Sequence, residues 1–243
     1  MEKKKFLYEG KAKKIYETDD ANLCIIEYKN SLTAFNALKK DSIEGKGELN
    51  NLISSALFEL LTAKGIPTHF IERADNIHQI VKKVSIVPIE VVVRNITTGS
   101  LCKRLGVEEG KTLPRPLVEL YLKDDALGDP LITDDHAVLF GWSTEEQLSK
   151  IKEITLKVNG VLSEYFSGLG IILVDFKLEF GLDTEGNLLL ADEVSPDTCR
   201  FWDRDTKNRL DKDRFRKDLG DVLGAYQEIW RRISSPAEEG GAK

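Results

Sequence analysis

Two apolar segments flank a four-residue turn, and that pairing constrains what the chain can fold into more than any other feature. Ile171 to Phe180 and Asn187 to Val194 lie either side of Asp183-Thr184-Glu185-Gly186, the pattern of a β-hairpin. Alternate residues of a strand share a face. Ile172, Val174, Phe176, Leu178 and Phe180 form one apolar face, and Asp175, Lys177 and Glu179 fall together on the other. A charged face of this kind is ordinarily the solvated side of an antiparallel sheet. The returning strand tips the balance: it ends in Asp192-Glu193, which sets Asp192 opposite or diagonal to Lys177 or Glu179, within roughly 5–8 Å. Carboxylates gathered at that distance repel unless a cation lies between them. Oxygen ligands without histidine favour Mg2+ over zinc.

The rest of the chain builds around this hairpin. Lys13 to Glu17 and Leu23 to Tyr28 read as strands around the turn Asp19 to Asn22. Leu49, Leu52, Ile53, Ala56, Leu57, Leu60 and Leu61 recur at helical spacing from about Gly47, and Gly65 with Pro67 ends that helix. Thr68 to Glu72 and His78 to Lys83 give two further short strands. Ile86 to Asn95 is a nearly continuous apolar run, as in a buried strand. A short helix follows near Thr98 or Gly99, and Asp124 to His136 reads as a polar loop. Ser143 and Glu146 suggest a capping box for a long helix with the stripe Leu148, Ile151, Ile154, Val158, Leu162 and Tyr165. A last helix is expected from about Asp211 to Ile233, with Phe215, Leu219, Val222, Tyr226, Ile229 and Ile233 inward. The fold class is α+β, in two domains. An N-terminal antiparallel β-rich unit spans 1–85, a larger α+β unit spans 86–233, and 234–243 is a flexible tail rich in Ser, Gly, Ala and Glu.

Composition narrows the function classes. A formal net charge of -6 lacks the footprint of a general nucleic-acid binder. No apolar run approaches the roughly 20 residues of a membrane span. Cys24, Cys102 and Cys199 are odd in number and far apart, which argues against a disulfide framework or zinc site and fits a reducing, cytoplasmic setting.

Three more segments carry candidate chemistry. In Tyr8-Glu9-Gly10-Lys11-Ala12-Lys13 the glycine permits close backbone approach to a ligand, and Lys11 and Lys13 share a strand face. The segment is not a Walker A loop, and a basic edge strand that resists aggregation is its plainer explanation. Arg94-Asn95-Ile96-Thr97-Thr98-Gly99-Ser100 runs from a strand into a helix start. That suits a phosphate held by Arg94 and Ser100, or simple capping by Thr97 or Thr98. Ser195 to Asp203 follows the acidic pair directly, so Arg200 can return to the same cleft; the alternative is a loop anchored by buried Trp202. Cys199 lacks an obvious base and reads as structural. His69, His78 and His136 show no metal spacing.

In order, Gly10-Lys11-Ala12-Lys13, Val92-Val93-Arg94-Asn95 with Gly99-Ser100-Leu101, Asp175 to Gly181, and Asp192-Glu193 with Ser195-Pro196-Asp197 resemble the SAICAR synthetase family. Gly45-Lys46-Gly47 with Asn50-Asn51 and Asp211 to Arg216 add to the resemblance, which runs from about Leu7 to Arg232. It implies a ligase that joins L-aspartate to a carboxyaminoimidazole ribonucleotide with ATP and Mg2+, through an acyl phosphate. It implies a homodimer acting on small molecules, with neither nucleic acid nor membrane as partner. ATP would lie between the two domains. Gly10, Lys11, Ala12 and Lys13 would cover its phosphates. Lys82 to Pro88, including Ile86, would be an interdomain hinge that meets adenine, with Ile15 and Leu23 or Ile25 packed nearby. Glu179 and Asp192 would hold Mg2+ or the ribose. Arg94, Ser100 and Arg200 would hold the nucleotide's phosphate. Asp175 and Lys177 would sit by the reacting carboxylate, with Asp175 open between metal and substrate. Asn36 stands where other members carry Asp; an amide can hydrogen-bond substrate but not act as a carboxylate base. Two other classes stay open: a kinase-like phosphotransferase, and a noncatalytic nucleotide-binding regulator.

Overall fold

The computed structural model describes residues 1–34 and 38–235. Asn36 and most of the expected tail lie outside them. The first part holds β1 (Phe6–Glu9), β2 (Lys13–Glu17), β3 (Leu23–Tyr28), β4 (Ser31–Ala34), β5 (Lys39–Ser42), α1 (Lys46–Ala63), β6 (Phe70–Arg73) and β7 (His78–Lys82). The second holds β8 (Ser85–Ile96), α2 (Gly99–Leu105), β9 (Thr112–Leu122), β10 (Leu131–Ile132), α3 (Asp134–Leu139), α4 (Glu145–Gly168), β11 (Ile171–Leu182), β12 (Leu188–Ala191), β13 (Cys199–Asp203), α5 (Asp213–Arg216) and α6 (Val222–Ser234).

Two antiparallel sheets dominate. One runs β1-β2-β3-β7-β6; the other runs β10-β9-β8-β11-β12, with β13 also paired to β11. β4 and β5 form a separate hairpin. The chain changes sheets between Lys82 and Ser85. At that crossing Val84 presses on β11: a Cβ at Gly181 would lie 2.7 Å from a Val84 methyl. Only glycine leaves room for the backbones to approach so closely.

Burial follows side-chain periodicity. α1 buries Ile53, Leu57, Phe58 and Leu61, and α4 buries Leu148, Ile151, Ile154, Val158, Leu162 and Phe166. These stripes share one apolar core with Val87, Ile89, Val91 and Val93 of β8 and with Phe176, Leu178 and Phe180 of β11. Full burial of each such side chain stabilises the fold by about 1.5–3 kcal/mol. α1 also packs against α6.

Several local expectations change. The cap of α4 is Thr144 with Gln147, one residue beyond the expected Ser143 and Glu146. Phe166 is fully buried beneath that helix and Tyr165 only partly. The expected polar loop ends in structure: Leu131–Ile132 pair with β9, and His136 closes a capping box with Thr133 at the start of α3. The last helix is two, because Asp218, Gly220 and Asp221 adopt positive φ. This break leaves Leu219 47% exposed rather than inward.

Candidate active site

Between the two sheets opens a cleft of about 1210 Å³. Its apolar wall comes from the first sheet. Ile15 pairs in register with Ile26, and Ile15, Cys24, Ile26 and Val81 line the cleft, with Val84 and Ile86 from the connection and β8. Leu23 and Ile25 have the opposite parity and point to the other side of β3. Gly10, Lys11, Ala12 and Lys13 form the rim on this side, and Lys82 lies at its edge.

The polar wall comes from the second sheet. Asp175 and Glu179 are each 3% exposed, so the charged face of β11 is not a solvated sheet surface. It is covered by other charges. Lys177 Nζ lies 2.9 Å from Glu90 Oε1 and 3.4 Å from Asp192 Oδ2, and it donates to Glu179. Lys123 Nζ reaches the same Glu179 oxygen at 2.7 Å. The cation expected between the carboxylates is, among the protein's own groups, this lysine. Burial opposes charge on Lys177, but Glu179, Asp192 and Glu90 outweigh it and raise its pKa well above the ordinary value. Lys13 is governed in the same way: burial is overcome by Asp192, with which it hydrogen-bonds, and by Glu193, 3.2 Å away.

A second cluster lies deeper. Asp175 Oδ2 accepts from Arg94 Nη1 at 2.8 Å and from Arg200 Nη1 at 2.7 Å. Arg94 Nε also binds Glu119 at 2.6 Å, and its Nη2 donates to Ser100 Oγ at 3.0 Å and to the Tyr121 hydroxyl at 3.2 Å. Arg200 Nε holds Asp213 at 2.9 Å. Thr98 is the N-cap residue of α2, but its side chain makes no capping bond; the Thr97 and Thr98 hydroxyls donate instead to the Glu108 carbonyl and to Glu109.

The structure thus gathers Gly10, Lys11, Ala12, Lys13, Ile15, Lys82, Ile86, Arg94, Asp175, Lys177, Glu179, Asp192 and Arg200 around one cleft. Ser100 joins through Arg94. Asp175 is set apart from Glu179 and Asp192, both of its partners being arginines. Among the described residues no group of three or more His, Cys, Asp or Glu side chains is arranged to hold a metal ion. Glu179 and Asp192 nonetheless fit an ion that brings its own ligands, because Mg2+ commonly takes one or two carboxylates and completes its shell with phosphate oxygens. Cys199 is buried, and burial pushes its thiol pKa up, which keeps it in the protonated form and fits a structural residue.

Sequence reasoning missed Glu90, Lys123 and Glu119. Glu90 hides in the apolar run of β8, yet it pairs in register with Glu179. Glu119 belongs to β9 and Lys123 follows its last residue directly; Pro114 and Pro116 mask the strand character of β9. The segment around Arg200 is not merely a loop anchored by Trp202, since Cys199–Asp203 pairs with β11.

Residues 6–233 match the family model described as SAICAR synthetase. A phosphoribosylaminoimidazole-succinocarboxamide synthase from Bacillus subtilis (strain 168) is 58% identical over 231 residues, covering 95% of this chain and 96% of the relative. The crystal structure of the synthase from Ehrlichia chaffeensis superposes with TM-score 0.93 at 47% identity, covering 96% of this chain and 99% of that one. A structure of SAICAR synthetase in complex with ADP superposes with TM-score 0.92 at 52% identity, covering 97% of this chain and all of the other.

Proposed function

The chain belongs to the SAICAR synthetase family, and from that premise we propose how its cleft ligates L-aspartate to the carboxylate of the imidazole ribonucleotide at the expense of ATP. A carboxylate is a poor electrophile because its charge is delocalised and oxide is not a leaving group. Its oxygen therefore attacks the γ-phosphorus of ATP and ADP departs. The aspartate amine then attacks the acyl carbon of the acyl phosphate, and inorganic phosphate leaves with the original carboxylate oxygen. Neither a kinase-like phosphotransferase nor a noncatalytic regulator accounts as well for near full-length identity with ligases.

In this scheme 1–85 supplies the nucleotide side and 86–233 the substrate side. Ile15, Cys24, Ile26 and Ile86 offer an apolar bed for adenine, with Lys82 to Pro88 as the hinge beside it. Gly10 to Lys13 cover the phosphates. Glu179 and Asp192 would hold the Mg2+ that accompanies the triphosphate, and the ion would supply positive charge against its phosphate oxygens. Lys177 stands beside both carboxylates and steadies the transferred group, while Asp175 orients Arg94 and Arg200. These two arginines and Ser100 take the nucleotide's 5′-phosphate, as forked guanidinium groups suit phosphate oxygens. Catalysis here is mainly positioning and charge neutralisation.

The carrying observation is the charge-lined wall of β11 facing an apolar wall across one cleft. The test uses imidazole nucleotide labelled with ¹⁸O in its carboxylate. One label should pass into inorganic phosphate for each succinocarboxamide formed; phosphate free of label would reject the acyl phosphate. Placement in the cytoplasm is supported by the three unpaired cysteines. No helix among the described residues is long and apolar enough to cross a membrane. A homodimer is supported by the exposed apolar side chains of Leu131, Leu139 and Phe140, and sedimentation would test it.

A further inference from the structure

Arg200 is placed from two sides. The backbone of Gly99 presses on its guanidinium, and Asp213 Oδ2 accepts from its Nε at 2.9 Å. These contacts come from segments far apart in sequence, the turn into α2 and the short helix α5. One side chain outside the cleft ties the two segments together. Glu109 lies in the loop between α2 and β9. Its Oε1 accepts from the Thr98 hydroxyl at 2.6 Å, from Arg209 Nη2 at 3.0 Å and from Lys217 Nζ at 3.1 Å, and its Oε2 accepts from the same lysine at 3.3 Å. Thr98 is fully buried and directly precedes Gly99. Lys217 directly follows α5. Arg209 comes just before α5; its Nε lies 3.8 Å from Asp213 Oδ2, and its guanidinium sits 5.5 Å from the ring centre of Trp202 on β13.

The loop that carries Glu109 is itself fixed. The Gly110 amide donates to the Thr97 carbonyl at 2.8 Å, and the Thr97 amide donates to the Lys111 carbonyl at 2.9 Å. The Thr97 hydroxyl donates to the Glu108 carbonyl at 2.7 Å and accepts from the Lys111 amide at 2.9 Å. The carboxylate is thus delivered by a backbone locked to the turn it braces. Burial opposes its charge, but Thr98, Lys217 and Arg209 outweigh that and hold its pKa at about 2, against an ordinary 4.5. An isolated exposed ion pair contributes little. Here a buried hydroxyl and two cations from separate segments share one carboxylate, and charge-assisted bonds of that kind fix geometry. We propose that Glu109 is a positioning residue, setting the separation between the turn into α2 and α5 and so holding Arg200 in line for the nucleotide's phosphate, without itself touching a substrate. This deepens the ligase assignment and rests on it, through Arg200 as a phosphate ligand.

Steady-state kinetics of Glu109→Ala, with ATP and L-aspartate saturating, provide the test. KM for the imidazole nucleotide should rise about 3- to 30-fold, short of the roughly 100-fold that a misplacement of about 1 Å can cost. KM for ATP and kcat should hold, because binding rather than chemistry is lost. Glu109→Gln keeps an acceptor for Thr98 but not the charge for Arg209 and Lys217, so its rise should be smaller. A double variant adds a readout that a merely structural role would not move. Glu109→Ala and Gly99→Ala both act through Arg200, so together they should raise KM for the nucleotide by less than the product of their separate effects. Multiplicative effects, an unchanged KM for the nucleotide, or a rise shared equally with ATP would overturn the positioning role. If Glu109→Ala does not fold, Glu109→Gln decides by the same readouts. Arg200→Met separates the two levels. If it leaves KM for the nucleotide unchanged, the phosphate assignment falls and the role of Glu109 with it. If it raises that KM while Glu109→Ala does not, the role of Glu109 alone is lost.

Discussion

The guanidinium of Arg200 lies so close to the backbone of Gly99 that a Cβ at that position would stand 2.7 Å from Nη2. Gly99 also holds φ at +59°, where side chains are rarely accommodated. One glycine thus lets the turn after β8 close over an arginine delivered by β13.

Gly99→Ala should displace Arg200 and, through the left-handed backbone, cost about 1–2 kcal/mol of stability. With substrate kinetics and thermal melting compared, KM for the imidazole nucleotide should rise severalfold while KM for ATP holds. A rise confined to ATP would reverse the assignment of the two pockets.

Lys177→Met leaves Glu90, Glu179 and Asp192 without the ammonium they share. Turnover should drop about 100-fold or more, as when a preorganised electrostatic group is removed. Without nucleotide, added Mg2+ should raise the melting temperature of the variant more than that of the parent, because the carboxylates that lose the lysine can then accept the ion. Identical Mg2+ responses would argue that these acids do not form a cation site.

Asp192 sits at φ 61°, a conformation that asparagine tolerates. Asp192→Asn should therefore fold, yet require a higher Mg2+ concentration for half-maximal rate. An unchanged metal titration would remove Asp192 from the Mg2+ site.

His69 is buried against Phe58, and its Nε2 has no partner among the described residues. Burial, aided by Lys13, holds its pKa down at about 3, against an ordinary value of 6.5. The unfolded chain therefore binds a proton that the folded chain refuses. The resulting stability is present above about pH 6.5 and is lost as pH falls toward 3. Denaturant titrations across that window should show a shallower decline for His69→Phe than for the parent; parallel curves would mean that His69 titrates normally.

Much of the fold was legible because its elements carry strong periodicity. β11 and β12 announce themselves by alternation around Asp183–Gly186, and α1 by its leucine spacing. The face of β11 was legible but its environment was not. Alternation groups Asp175, Lys177 and Glu179, yet only tertiary pairing shows that Arg94, Arg200, Glu90 and Lys123 cover them. β9 escaped notice because Pro114 and Pro116 read as breakers, although the paired stretch accommodates them near its start. The end of the chain was overextended because the apolar spacing from Phe215 to Ile233 continues through a break made by the backbone at Asp218, Gly220 and Asp221.

The most direct measurement is a product assay on the whole chain with ATP, Mg2+, L-aspartate and carboxyaminoimidazole ribonucleotide. Succinocarboxamide, ADP and phosphate should appear in equal amounts, and ATP consumption should stop when either aspartate or the nucleotide is withheld. ATP turnover that ignores aspartate, or yields phosphate without the amide, would contradict a ligase built around this cleft.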